Sequence, residues 1–223
     1  MIDAPIIISF PPGACGNHLR WLLFLDKQIR NPFTDDQSIQ GKVNFILNDV
    51  YTENRTWYNW LNYEWKFRCT LDPQIKIMHN STLSQDDTCK NKQVIFLNIV
   101  DFKLFFYHYL HINLKLNGNS IDRFLYFNST RWNEHIENFS NNLDENMKIF
   151  YVDSLYEKNL NYDLYKNIIN FLGFDDNYEL ANQIQNRYYN IRKKSAAEFY
   201  SFFTSTQFND LLLYLQKFSE QDD

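Results

Sequence analysis

Short apolar runs recur along this chain, separated by longer stretches whose apolar residues fall at helical spacing. Pro5–Phe10 is the first run, bounded by prolines and apolar on both faces, which predicts a buried strand of a parallel sheet. Ile75–His79, Val94–Ile99 and Met147–Val152 read as three further strands. Between them, Asn17–Ile29, Val43–Glu64, Phe102–Leu116, Ile121–Asn142, Leu160–Leu172, Tyr178–Gln185 and Thr206–Phe218 read as helices. Residues 31–42 are polar and contain Pro32 and Gly41, which predicts a loop. Gly173 follows Leu172 as a left-handed stop. Strands alternating with helices predict a three-layer α/β/α fold with a central parallel sheet. No internal repeat, low-complexity tract or linker interrupts residues 1–223, so a single domain is expected.

Composition narrows the partners. The net charge of −5 disfavours nucleic acid as a partner, because such proteins present a basic face. The three cysteines, Cys15, Cys69 and Cys89, form no CxxC pair, which suits free thiols in a reducing cytoplasm. No leader pattern precedes Ile6, and runs such as Leu104–Leu110 are far below the roughly 20 apolar residues of a membrane helix, so no membrane partner is expected. Aromatic residues make up 18 % of the chain, but alongside many Asn, Lys and Ile they read as compositional bias rather than function.

Three places carry candidate chemistry. The loop Gly13-Ala14-Cys15-Gly16-Asn17-His18 joins the first strand to the first helix and uses two of only five glycines. Such a junction aims free N–H groups and a positive helix end at one spot, which suits phosphate or sulfate. A plain β-α turn accounts for the same glycines. Neither GxxxxGK[ST] nor GxGxxG is present. His79 ends the second strand, where ligands of open α/β sheets gather, and an imidazole there suits a general base or a simple loop-edge residue. Arg192-Lys193-Lys194 is either a solvated charged turn or a second phosphate clamp. No His or Cys spacing predicts a metal site.

These pieces, in this order, resemble the sulfotransferase family that uses 3′-phosphoadenosine 5′-phosphosulfate. The resemblance rests on the strand and loop through Ala14-Cys15-Gly16-Asn17-His18, then Ile75-Lys76-Ile77-Met78-His79, then Val94–Ile99 with the helix through Tyr109. It continues through Ile149–Leu155, Phe171-Leu172-Gly173 and Arg192-Lys193-Lys194 ahead of Phe203-Thr204 and Gln207, and so spans nearly the whole chain. It implies a P-loop-containing, sulfotransferase-like fold. It also implies a donor site built from Gly13, Ala14, Cys15, Gly16, Asn17, His18, Arg192 and Lys193, with His79 as catalytic base. Ala14 stands where the family has a Lys or Arg, Cys15 where it has Ser, and Ile99 and Tyr107 fall at or near its 3′-phosphate ligands. The missing positive charge would then come from Arg20, Lys76 or Arg192.

The implied function is sulfuryl transfer from that donor to a hydroxyl of a small molecule or glycan, the acceptor lying against Trp57–Trp65. The alternative is a catalytically degenerate protein of the same fold that binds a protein partner or forms part of a larger assembly. A nucleotide kinase is a third reading, and it lacks the Lys-Ser/Thr such sites use.

Overall fold

The computed structural model describes residues 6–10, 15–52, 67, 70–78, 92–98 and 143–202, with side chains to 193. Four strands, β1 (Ile6–Ser9), β2 (Ile75–Met78), β3 (Val94–Asn98) and β4 (Met147–Tyr151), form one sheet in the order β2-β1-β3-β4. Every pairing is parallel: Ile8 sits beside Ile77 and Ile95, and Phe96 beside Ile149. The fold is thus α/β around a parallel sheet, as the apolar runs predict. Four-residue β1 is buried throughout, as a central strand covered on both faces must be.

Ile6, Ile8, Ile75, Ile77, Ile95 and Leu97 point to one face and join the main core. That core includes Leu19, Leu22 and Leu23 of α1 (Gly16–Leu23), Val43 and Phe45 of α2 (Ile39–Phe45), Ile168 and Ile169 of α3 (Tyr162–Leu172), and Ala181, Ile184 and Ile191 of α4 (Tyr178–Phe202). Ile7, Val94 and Phe96 point to the opposite face, with Met78, Met147 and Ile149 against them. The helices predicted over 102–116, 121–142 and 206–218 lie outside the described residues.

Several boundaries differ from the sequence expectation. Helix α1 stops at Leu23 rather than Ile29, because the chain turns back through residues 24–29 and Lys42 ties that turn down. Helix α2 begins at Ile39, inside the predicted loop, since the Ser38 hydroxyl accepts from Gly41 N–H and caps it. It runs into a π-helical turn, Ile46–Val50. Residues 153–156 form a short 3-10 turn after β4. Helix α3 is capped by Asn161 and ends at Gly173 with φ 69°, the predicted left-handed stop. Helix α4 continues for 25 residues, so Arg192-Lys193-Lys194 lies within a helix rather than a turn. Among the described residues no helix is long and apolar enough to cross a membrane.

Candidate functional site at the start of helix α1

Strand β1 lies between β2 and β3, so the chain leaves it in one direction first and crosses back over it afterwards. The crevice at the carboxyl ends of β1 and β3 is therefore the switch point where α/β sheets receive ligands. Helix α1 begins there. Cys15 caps it in the left-handed region, φ 55°, an unusual conformation for a residue with a Cβ. The first intrahelical bond runs from Leu19 N–H to the Cys15 carbonyl. No side chain caps the helix and no acidic residue occupies its first turn. The N–H groups of Gly16, Asn17 and His18 therefore face forward without intrahelical acceptors. Gly16 is required here for close packing: a Cβ would stand 2.0 Å from two ring carbons of Phe10.

Helix α4 supplies the second half. Its inward stripe, Ala181, Ile184, Gln185, Tyr188, Ile191 and Arg192, follows helical spacing. That spacing divides the basic run: Arg192 turns inward, and Lys193 is exposed. The Arg192 guanidinium lies 5.0 Å from the Tyr156 ring centroid and 5.2 Å from that of Tyr188. Its Nε and Nη1 are buried without hydrogen-bond partners, as is Asn17 Oδ1 on α1. Its charge acts on both Cys15 and His18. The structure thus brings Cys15, Gly16, Asn17, His18 and Arg192 together from opposite ends of the chain. Gly13, Ala14 and His79 lie outside the described residues, as do Ile99, Tyr107 and Trp57–Trp65.

The side chains beneath the helix start are committed to one another. His18 is 1 % exposed, and its ring stacks on Tyr188 with centroids 3.7 Å apart. Gln185 Nε2 donates to the carbonyls of Leu155 and Glu157, so its Oε1 must accept from His18 Nε2–H at 2.6 Å. That assignment leaves Nδ1 as an acceptor for the Tyr51 hydroxyl at 2.8 Å. Burial, aided by Arg192, holds the imidazole neutral, with a pKa lowered to about 3. The ring of His18 is consequently engaged inside the protein, and what it offers a ligand is its N–H at the helix start. The Cys15 thiol meets the Tyr188 hydroxyl at 3.4 Å, and burial raises its pKa, so it stays a thiol.

The other cations go elsewhere. Arg20 is fully buried and reaches Asp72 at 3.4 Å, in the turn that leads into the amino end of β2. Lys76 is exposed and alternates with Ile75 and Ile77, which places it on the sheet face opposite α1. Of the three cations considered, Arg192 alone is brought to the start of α1. Among the described residues no group of three His, Cys, Asp or Glu side chains gathers as a metal site. The Gln185, Tyr188 and Tyr51 partners of His18 are absent from the sequence reading; the inward period of α4, continued past Gln185, is the signal that would have found two of them. Comparison of the chain with protein-family models, curated proteins and solved structures finds no match.

Proposed function

We propose that the crevice at the start of α1 binds an oxoanion carried by a nucleotide, and that its ligand is 3′-phosphoadenosine 5′-phosphosulfate or its desulfated product. The observation that carries this reading is Arg192, placed beside the uncapped start of α1 with two buried nitrogens lacking partners. An oxoanion would satisfy those nitrogens and the forward N–H groups of Gly16, Asn17 and His18 together. The P-loop-containing, sulfotransferase-like fold class belongs to this proposal, as do a small-molecule or glycan hydroxyl as acceptor and a cytoplasmic setting. In it His79 is the base that takes the acceptor proton, and the residues of the loop and Arg192 orient the leaving group.

A specific observation favours the non-catalytic alternative for the transfer step. Arg20 and Lys76 are directed away, so among the described residues one cation serves where the reaction gains from several. Loss of one such donor costs on the order of 100- to 1000-fold in rate. Calorimetric titration with 3′-phosphoadenosine 5′-phosphate tests the binding reading. Micromolar affinity, weakened at least tenfold by Arg192→Ala and unchanged by Lys193→Ala, is the expected result. No heat at millimolar ligand would overturn it. Given binding, sulfuryl transfer to a panel of hydroxyl acceptors that disappears in His79→Ala marks an enzyme, and its absence marks the degenerate reading.

A further inference from the structure

Four separate segments meet at His18. Its own helix carries Cys15, the π-helical turn delivers Tyr51, α4 delivers Gln185, Tyr188 and Arg192, and the 3-10 turn after β4 delivers Tyr156 against Cys15 and Arg192. The hydrogen bonds run in one direction only: Gln185 is fixed by two backbone carbonyls, so it accepts from Nε2, and Nδ1 accepts from Tyr51. A second proton on the ring must sit on Nδ1, where it meets the Tyr51 oxygen and displaces that hydroxyl's own donation. Among the described residues the one charge acting on the ring is Arg192, which is of the same sign as an imidazolium. Cys15, Tyr51, Tyr156 and Tyr188 add thiol and phenol groups to the same cluster. The stack of His18 on Tyr188, and of Tyr188 on Arg192, ties the position of the guanidinium to the charge of the ring.

We infer that His18 is an acid-sensitive clasp whose protonation releases the middle of α4, and Arg192 with it, from the start of α1. The inference is independent of whether an anion binds there. Once the seam opens, the imidazole meets water and takes up a proton as an ordinary histidine does. The opening equilibrium then grows as one plus the ratio of protonated to neutral free imidazole. With an unperturbed pKa of about 6.5 and a closed state that stays neutral above pH 4, opening increases about 25-fold between pH 7 and pH 5.

Amide hydrogen exchange on the full chain, corrected for intrinsic rates, tests this. In the wild type, protection of α4 amides around Gln185–Arg192 lies below that of β1 and β3 amides and falls about 25-fold from pH 7 to pH 5. In His18→Gln, which holds a hydrogen-bonding side chain and cannot titrate, the fall shrinks to threefold or less. Carbon-13 labelling of the imidazoles gives a second measurement that needs no variant to fold: the His18 signal stays in its neutral form down to the pH at which α4 protection is lost. Equal slopes in the two proteins would overturn the inference. So would α4 protection equal to that of the sheet at both pH values, or a His18 signal that titrates near pH 6.5 with α4 still protected.

Discussion

Phe10 packs against the first residue of α1, and Gly16 is the point of contact. A methyl group at position 16 would overlap the ring, since the added Cβ would lie 2.0 Å from its atoms. Gly16→Ala therefore forces Phe10 or the start of α1 to move, at about 1–3 kcal/mol. Denaturant unfolding should show that loss, and most of it should vanish in a Phe10→Val background, where the clashing ring is gone. Lys42 makes a different case. It is 1 % exposed, donates to the Asp26 and Ile29 carbonyls, and lies over the Phe24 ring at 5.3 Å. Burial lowers its pKa to about 8. Lys42→Met keeps the volume, strands the Ile29 carbonyl and leaves that of Asp26 with the Ile29 N–H, so a loss of about 1–3 kcal/mol is expected from the same measurement. Neither role is visible in the sequence, where Lys42 closes a polar stretch and Gly16 is one of two loop glycines.

At the scale of elements, α3 shows what local rules decide. Asn161 accepts from Leu164 N–H at its start, and Gly173 sits left-handed at its end with open space beside it. Asn161→Ala should cost about 0.5–2 kcal/mol, and Gly173→Ala about 1–2 kcal/mol from backbone strain alone. A thermal melt of each variant checks both. Helix α3 and all four strands were legible because their signals are local: apolar runs of four or five residues, a cap, a glycine stop. Helix α4 was legible only to Gln185. Its inward stripe then continues through buried Gln185 and Tyr188 and half-buried Arg192, polar side chains that break the apolar pattern while keeping its period. The first turn of α2, before Val43, was hidden for the converse reason, since Gly41 inside it reads as a breaker. The β1–loop–α1 junction stood out as the place for a site, whereas the inward turn of Arg192 depended on a helix whose length the sequence understated.

Across the whole molecule, the decisive contacts span the chain. β1 pairs with strands that begin at Ile75 and Val94, and His18 meets Gln185 across 167 positions. No local pattern reports such a pair, because a polar residue on a buried helix face carries no mark of which distant residue it meets. Yet the pair joins the first helix to the long helix α4 and fixes Arg192 relative to α1. Its energetic signature is non-additivity. Gln185→Leu takes the amide donor from the Leu155 and Glu157 carbonyls and leaves the His18 N–H unpaired, and His18→Leu leaves the Gln185 oxygen unpaired and removes one partner of the Tyr51 hydroxyl. Each single change should cost about 2–4 kcal/mol, since buried groups stripped of partners carry their full desolvation penalty. In the double variant the two partners disappear together, and the orphan each would have left is gone. The double loss should therefore fall short of the sum by about 1–3 kcal/mol, measured at pH 7.5 where the imidazole is neutral in both folded and unfolded chains. Strict additivity would mean that α1 and α4 are held by their apolar neighbours, Leu19, Ile184 and Ile191, with the polar pair only filling the space between. A shortfall would locate the join between the two ends of the chain in that one hydrogen bond and its supporting carbonyls.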